Sequence, residues 1–112
     1  MKPDNCAPCV NERNQEIKAD AGKLRMELIP TSALKSMARV LTFGAKKYTA
    51  NSWQRVEVER YKGALLRHLV AYLDDPYGVD EESGLLHSEH LLINAVFIND
   101  EVHRNLSTRP ER

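Results

Sequence analysis

Between Leu85 and Ile98 the chain is apolar on nearly every side of a helix, and this limits its fold more than any other feature. Among the polar residues that interrupt the stretch, His87, His90 and Asn94 recur at helical spacing. Positions i, i+3 and i+7 share a helical face, so the three form one stripe among Leu86, Leu91, Ile93, Phe97 and Ile98. Polar groups on a buried face are costly unless paired. The carboxylates of Asp80, Glu81 and Glu82 approach the same helix from its N-terminal side. Imidazole with carboxylate is a ligand set for a divalent metal, or a hydrogen-bonded site for a polar ligand. The plainer alternative is a pair of packed core or interface histidines. The spacing is HxxH, not the HExxH of metalloproteases.

A helix that is apolar all round must be surrounded. The chain has 112 residues, enough for one domain with a modest core. Three principal helices can hardly enclose that segment, so the expectation is a homodimer or homotetramer in which helices pack against their copies. The domain is expected over residues 18–105, with flexible tails at 1–17 and 106–112. Lys plus Arg and Asp plus Glu are both 16, giving a formal net charge of zero. That removes the simplest case for a nucleic-acid polymer as partner, which usually needs a basic excess. No apolar run reaches the length of a membrane span, and Met1–Asn5 lacks the apolar core of a signal peptide. A cytoplasmic protein is expected, with no membrane partner. Cys6 and Cys9 form a CxxC that reads as two incidental thiols in a tail, with half a zinc site as the alternative.

The periodicity predicts an all-α chain. Thr31 or Ser32 can cap a first helix with Leu34, Met37, Ala38 and Leu41 as its core stripe, and Gly44 is expected to end it. A second helix is predicted over about residues 56–74, facing inward through Tyr61, Leu65, His68, Leu69 and Tyr72 and closed by Asp75-Pro76. The third runs from Ser83 or Gly84 to Asn105. A short helix near Lys46 to Tyr48 is a further expectation. Residues 18–30 read as a loop anchored on the domain by Leu24, Leu28 and Ile29.

Two clusters carry chemistry. Lys23, Arg25, Lys46, Lys47, Tyr48, Asn51, Trp53, Arg60 and Arg67 combine cations with aromatic faces, which suits phosphates joined to a base. A solvated lysine pair and a core tryptophan would account for part of that set. Asp80, Glu82, His87 and His90, with His68 as a fifth member, combine carboxylate and imidazole. A phosphoanhydride is hydrolysed with a divalent cation to offset phosphate charge; carboxylates favour Mg²⁺, imidazoles Mn²⁺ or Zn²⁺.

Several blocks occur in order: Lys18-x-Asp20-Ala21-Gly22-Lys23-x-Arg25, Leu28-Ile29-Pro30, Phe43-Gly44-Ala45-Lys46-Lys47-Tyr48, Asn51-x-Trp53, Arg60-Tyr61 and Arg67-His68-Leu69. Asp80-x-Glu82-Ser83-Gly84-x-x-His87-x-x-His90-x-x-x-Asn94 completes them. Together, over roughly residues 18–99, they resemble the phage-associated dATP/dGTP diphosphohydrolase N-terminal domain family. The resemblance implies cleavage of a purine deoxynucleoside triphosphate to monophosphate and pyrophosphate, in a phage-infected or prophage-carrying cell. Glu82, His87 and His90 would be catalytic. Asp80, Glu82, His87 and His90 would hold Mg²⁺ or Mn²⁺, with Zn²⁺ a further candidate. Lys23, Arg25, Lys46, Lys47, Tyr48, Asn51, Trp53, Arg60, Arg67, His68 and Asn94 would bind the nucleotide. The ExxE and ExxD pairs that hold Mg²⁺ in MazG-type all-α pyrophosphohydrolases do not occur in order here. Either histidine has replaced them, or the fold is related and the chemistry differs. A non-catalytic protein that sequesters a nucleotide signal in host defence is the alternative function.

Overall fold

A computed structural model describes residues 21–108. It is all-helical: α1 (Thr31–Lys47), α2 (Val58–Asp74) and α3 (His87–Arg104), with 3₁₀ turns at Met26–Leu28, Ser52–Arg55 and Leu106–Thr108. Among the described residues there is no strand, only an isolated antiparallel bridge between Val79 and Leu86. Nor is any described helix long and apolar enough to cross a membrane. The tail and the cysteines expected at residues 1–17 lie outside the described residues, as do residues 109–112.

The third helix is the centre, and α1 and α2 both pack on it. Val40 of α1 and Ile93 and Phe97 of α3 form the buried core. Met37, Leu41, Trp53, Tyr61, Leu85 and Val96 pack around it. Ile93 is the most enclosed, at 1% exposure. Side chains of this size contribute about 1.5–3 kcal/mol each when fully buried, so a core this small leaves the single chain weakly furnished. The inward face of α2 is as expected: Tyr61, Leu65, His68, Leu69 and Tyr72 are all half-buried.

Several expectations need correction. The core stripe of α1 is Met37, Val40 and Leu41; Leu34 is 51% exposed and Ala38 is also exposed. Gly44 does not end α1, which continues to Lys47 and absorbs the short helix expected there. Inside a helix a glycine costs only about 1 kcal/mol, and the Gly44 carbonyl still accepts the Tyr48 amide at 2.7 Å. The 3₁₀ turn comes later, after Asn51 adopts a left-handed φ of 64°. Leu24 and Leu28 do not anchor the leading segment; they are 84% and 66% exposed. The third helix begins at His87 rather than at Ser83 or Gly84, because the preceding residues close a tight loop. As expected for a single chain, α3 is not buried all round. Only Glu89, Ile93, Asn94 and Phe97 are buried on it.

Candidate functional site

The loop from Asp75 to Leu86 sets the geometry. Asp75 Oδ1 accepts the Tyr77 amide at 3.1 Å, and its carbonyl accepts the Gly78 amide at 2.9 Å. Asp80 Oδ2 accepts the amides of Glu82 (3.1 Å) and Ser83 (2.9 Å), the self-capped turn that aspartate favours. Gly84 reverses the chain with φ of 74°, a conformation that disfavours a side chain. The Asp80 amide then donates to the Leu85 carbonyl at 2.8 Å, and the His87 amide to the Gly78 carbonyl at 3.1 Å. The last bond fixes the start of α3 against the end of α2. A Cβ on Gly78 would lie 3.2 Å from the Asp75 carbonyl oxygen and 3.4 Å from the His87 ring, so the glycine eases this corner.

Opposite the loop, Glu89 ties α3 to α1. It is 6% exposed. Its Oε1 accepts the Leu86 amide at 3.2 Å, satisfying an amide at the start of α3. Its Oε2 accepts from Ser36 Oγ (2.7 Å) and from Arg39 Nε (2.9 Å) and Nη2 (2.6 Å). Burial penalises the charged carboxylate, but these donors outweigh it and hold the group below the ordinary glutamate range. Sequence reasoning missed Glu89. Its signal was an acid three residues after the N-cap of a helix.

Between loop and helices, His68, Asp80 and His87 each offer a ligand atom, and these atoms lie within 4.8 Å of one another. His68 comes from α2, Asp80 from the loop and His87 from the first turn of α3. The Nδ1 atoms of His68 and His87 are 2.9 Å apart, so at least one of the two lacks a proton there. His90 stands beside them: its ring stacks on His68 at 4.6 Å and 12°. Its Nε2 lies 2.7 Å from Ser83 Oγ. Burial lowers the pKa of both His68 and His90. Neighbouring imidazoles lower His68 further, while Asp80 opposes the shift in both. Burial would raise Asp80, yet the Ser83 amide and the imidazoles prevail and hold it low. The imidazoles of His68 and His87 beside the ionised Asp80 carboxylate are a donor set that fits a divalent cation.

The cluster therefore differs from the expected metal set. His68 joins Asp80 and His87. Glu82 turns outward to pair with Lys47, and His90 is held by Ser83. Lys47 Nζ lies 5.1 Å from the Tyr48 ring centre, and its pKa is raised by the hydrogen bonds to Glu82 and Tyr48.

Lys47 also borders a groove of about 1360 Å³ between the end of α1, the 48–57 segment and the start of α2. Phe43, Tyr48, Asn51, Trp53, Arg60 and Phe97 line it. Trp53 stacks on Phe97 at 4.6 Å and 18°, and the Tyr61 hydroxyl donates to the Trp53 carbonyl. The volume is ample for a nucleotide-sized ligand, and its walls offer aromatic faces beside cations.

Other expected nucleotide-binding residues lie elsewhere. Lys23 and Lys46 are exposed and do not line the groove. Arg25 pairs with Glu27 at 2.8 Å. Arg67 is exposed on α2, its guanidinium close to Gly63. Asn94 is buried and donates to the His90 carbonyl at 2.7 Å within its own helix. Phe97 and Ser83, unassigned in the sequence reading, lie at the groove and the imidazole cluster.

A family model described as "dATP/dGTP diphosphohydrolase, N-terminal" matches residues 13–109. A protein of Salmonella phage PMBT28, named dATP/dGTP diphosphohydrolase, is 37% identical over 82 residues. The match covers 73% of this chain but 28% of that protein, so the chain spans under a third of its relative's length. No solved structure matches the chain.

Proposed function

The chain belongs to the dATP/dGTP diphosphohydrolase N-terminal family, and from that premise we propose that it binds a purine (deoxy)nucleoside triphosphate and cleaves it to monophosphate and pyrophosphate. The observation that carries this reading is the convergence of His68, Asp80 and His87 on the side of the fold where Lys47 joins the acidic loop to the aromatic groove. Three residues from three separate segments meet there, in neighbourhoods that favour a neutral His68 and an ionised Asp80.

These three residues would hold Mn²⁺, Mg²⁺ or Zn²⁺. Such a cation supplies charge neutralisation on the phosphates and acidifies water. The rest falls to the chain's own groups. Lys47 leaves Glu82 to meet phosphate oxygen, a stronger acceptor carrying more charge. Arg60 reaches the same anion from the groove rim. Tyr48 and Trp53 offer stacking faces to the base, and Asn51 offers amide donors and acceptors to its edge. His90, stacked on His68 and bonded to Ser83, positions the metal-facing ring, and Glu82, released by Lys47, accepts a proton from water. The same reading includes self-association as a homodimer or homotetramer, which the small core favours, and work in the cytoplasm of a phage-infected cell.

The second reading is a nucleotide-binding module without catalysis, favoured by the chain's covering only 28% of its relative. Incubation with dATP or dGTP and Mn²⁺, followed by separation of products, distinguishes the two. Monophosphate and pyrophosphate in equal amounts support hydrolysis. Saturable binding with intact triphosphate supports the module. Neither binding nor turnover refutes both.

A further inference from the structure

The self-association proposed above names no surface; the outward face of α2 supplies one. Leu66, Val70 and Leu73 are 56%, 58% and 67% exposed. They are spaced four and three residues apart, the interval that keeps a seam on one side of a helix. Tyr77, 85% exposed, lies just beyond the helix end at the next four-residue step. The stripe is about half a turn from the side that carries Tyr61, His68 and Tyr72 onto α3, so covering it leaves the imidazole cluster and the groove open.

We infer that α2 pairs antiparallel with α2 of a second copy of this chain, through Leu66, Val70 and Leu73. The charges choose this occupant and this direction. Arg67 and Asp74 flank the same edge of the stripe, seven residues apart. Both are exposed, and neither has an ion pair among the described residues. In an antiparallel pair with its two-fold axis near Val70, Leu66 meets Leu73 of the second copy. Arg67 then meets Asp74 of the second copy, and the axis repeats the contact. A parallel pair would set the two edges that carry Arg67 and Asp74 on opposite sides of the seam, so neither Arg67 would reach Asp74 of the second copy. One helix per copy is a small interface, so association is expected at micromolar concentration.

This inference deepens the self-association in the proposed function and rests on it. Sedimentation velocity over a concentration series of the whole chain separates the two claims. The unaltered chain should dimerise. Arg67→Asp places two acidic pairs across the seam and should weaken the dimer by about tenfold or more. Arg67→Asp with Asp74→Arg restores opposite charges and should recover the original constant to within about threefold. Circular dichroism checks that each variant keeps its helices. A monomer at every concentration overturns self-association and the seam together. A dimer that Arg67→Asp does not weaken, or that the double exchange does not restore, overturns the α2 seam alone.

Discussion

Replacing Glu89 by alanine should be as damaging as truncating a core side chain. The carboxylate is nearly inaccessible and serves three partners on two elements. Its removal strands the Leu86 amide and the Ser36 hydroxyl, at roughly 1 kcal/mol each. The Arg39 ion pair adds less than a buried pair would, because Arg39 is half exposed and can return to water; about 1 kcal/mol is a fair share. The expected loss is about 3 kcal/mol, a large part of the stability of a domain this size. The melting temperature should fall by on the order of 15 °C. Glu89→Gln keeps an oxygen for the Leu86 amide and should lose about half as much. Urea unfolding followed by circular dichroism measures both. A loss below about 1 kcal/mol for Glu89→Ala, or a glutamine variant as damaged as the alanine one, would refute the claim that this carboxylate ties α3 to α1.

Other expectations follow from the same geometry. Lys47→Ala should weaken triphosphate binding about tenfold or more while changing nucleoside binding little, as read by calorimetry; equal losses would mean that Lys47 supports the fold instead of meeting phosphate. Trp53 is the chain's one tryptophan and borders the groove, so a purine nucleotide should quench or shift the intrinsic fluorescence saturably. An unchanged spectrum at saturating nucleotide would move the base elsewhere. His68 and His90 have folded pKa values below their ordinary 6.5, so the unfolded chain takes up more protons as the pH falls through that value. Stability should therefore decline from about pH 6.5 downward, before the carboxylates titrate. Glu89, held below its ordinary 4.5, should add a further loss only as pH falls below that range. A stability profile flat from pH 7 to 5 would contradict neutral, half-buried imidazoles.

The sequence was most legible where periodicity was strong. The three helices, the inward face of α2 and the acidic turn before α3 were all readable from spacing. The misreadings are local. Gly44 looked like a stop because glycine often ends helices, yet α1 continues one turn past it to Lys47. Ser83 and Gly84 looked like a helix start because serine can cap. Here Ser83 instead bonds to the Leu85 amide and His90 inside a closed loop. The candidate site was half visible. His87, His90 and the acidic residues could be grouped along the chain, and His68 could be suspected. Only the folded loop shows that Asp80 turns toward His68 while Glu82 turns toward Lys47. Side chains two residues apart in a loop have no fixed period, so spacing could not separate them. Glu89 went unread because a carboxylate among apolar residues looks like solvent-facing punctuation until Ser36 and Arg39, 50 and more residues away, arrive beside it.

The central claim is that His68, Asp80 and His87 hold a divalent cation, and titration with Mn²⁺ followed by electron paramagnetic resonance tests it directly. The unaltered chain should take up one ion per chain. His68→Ala should lose about a hundredfold or more in affinity, while Glu82→Gln should bind almost as the unaltered chain does. Binding that survives His68→Ala but is lost in Glu82→Gln would contradict the cluster and return the metal to the acidic turn.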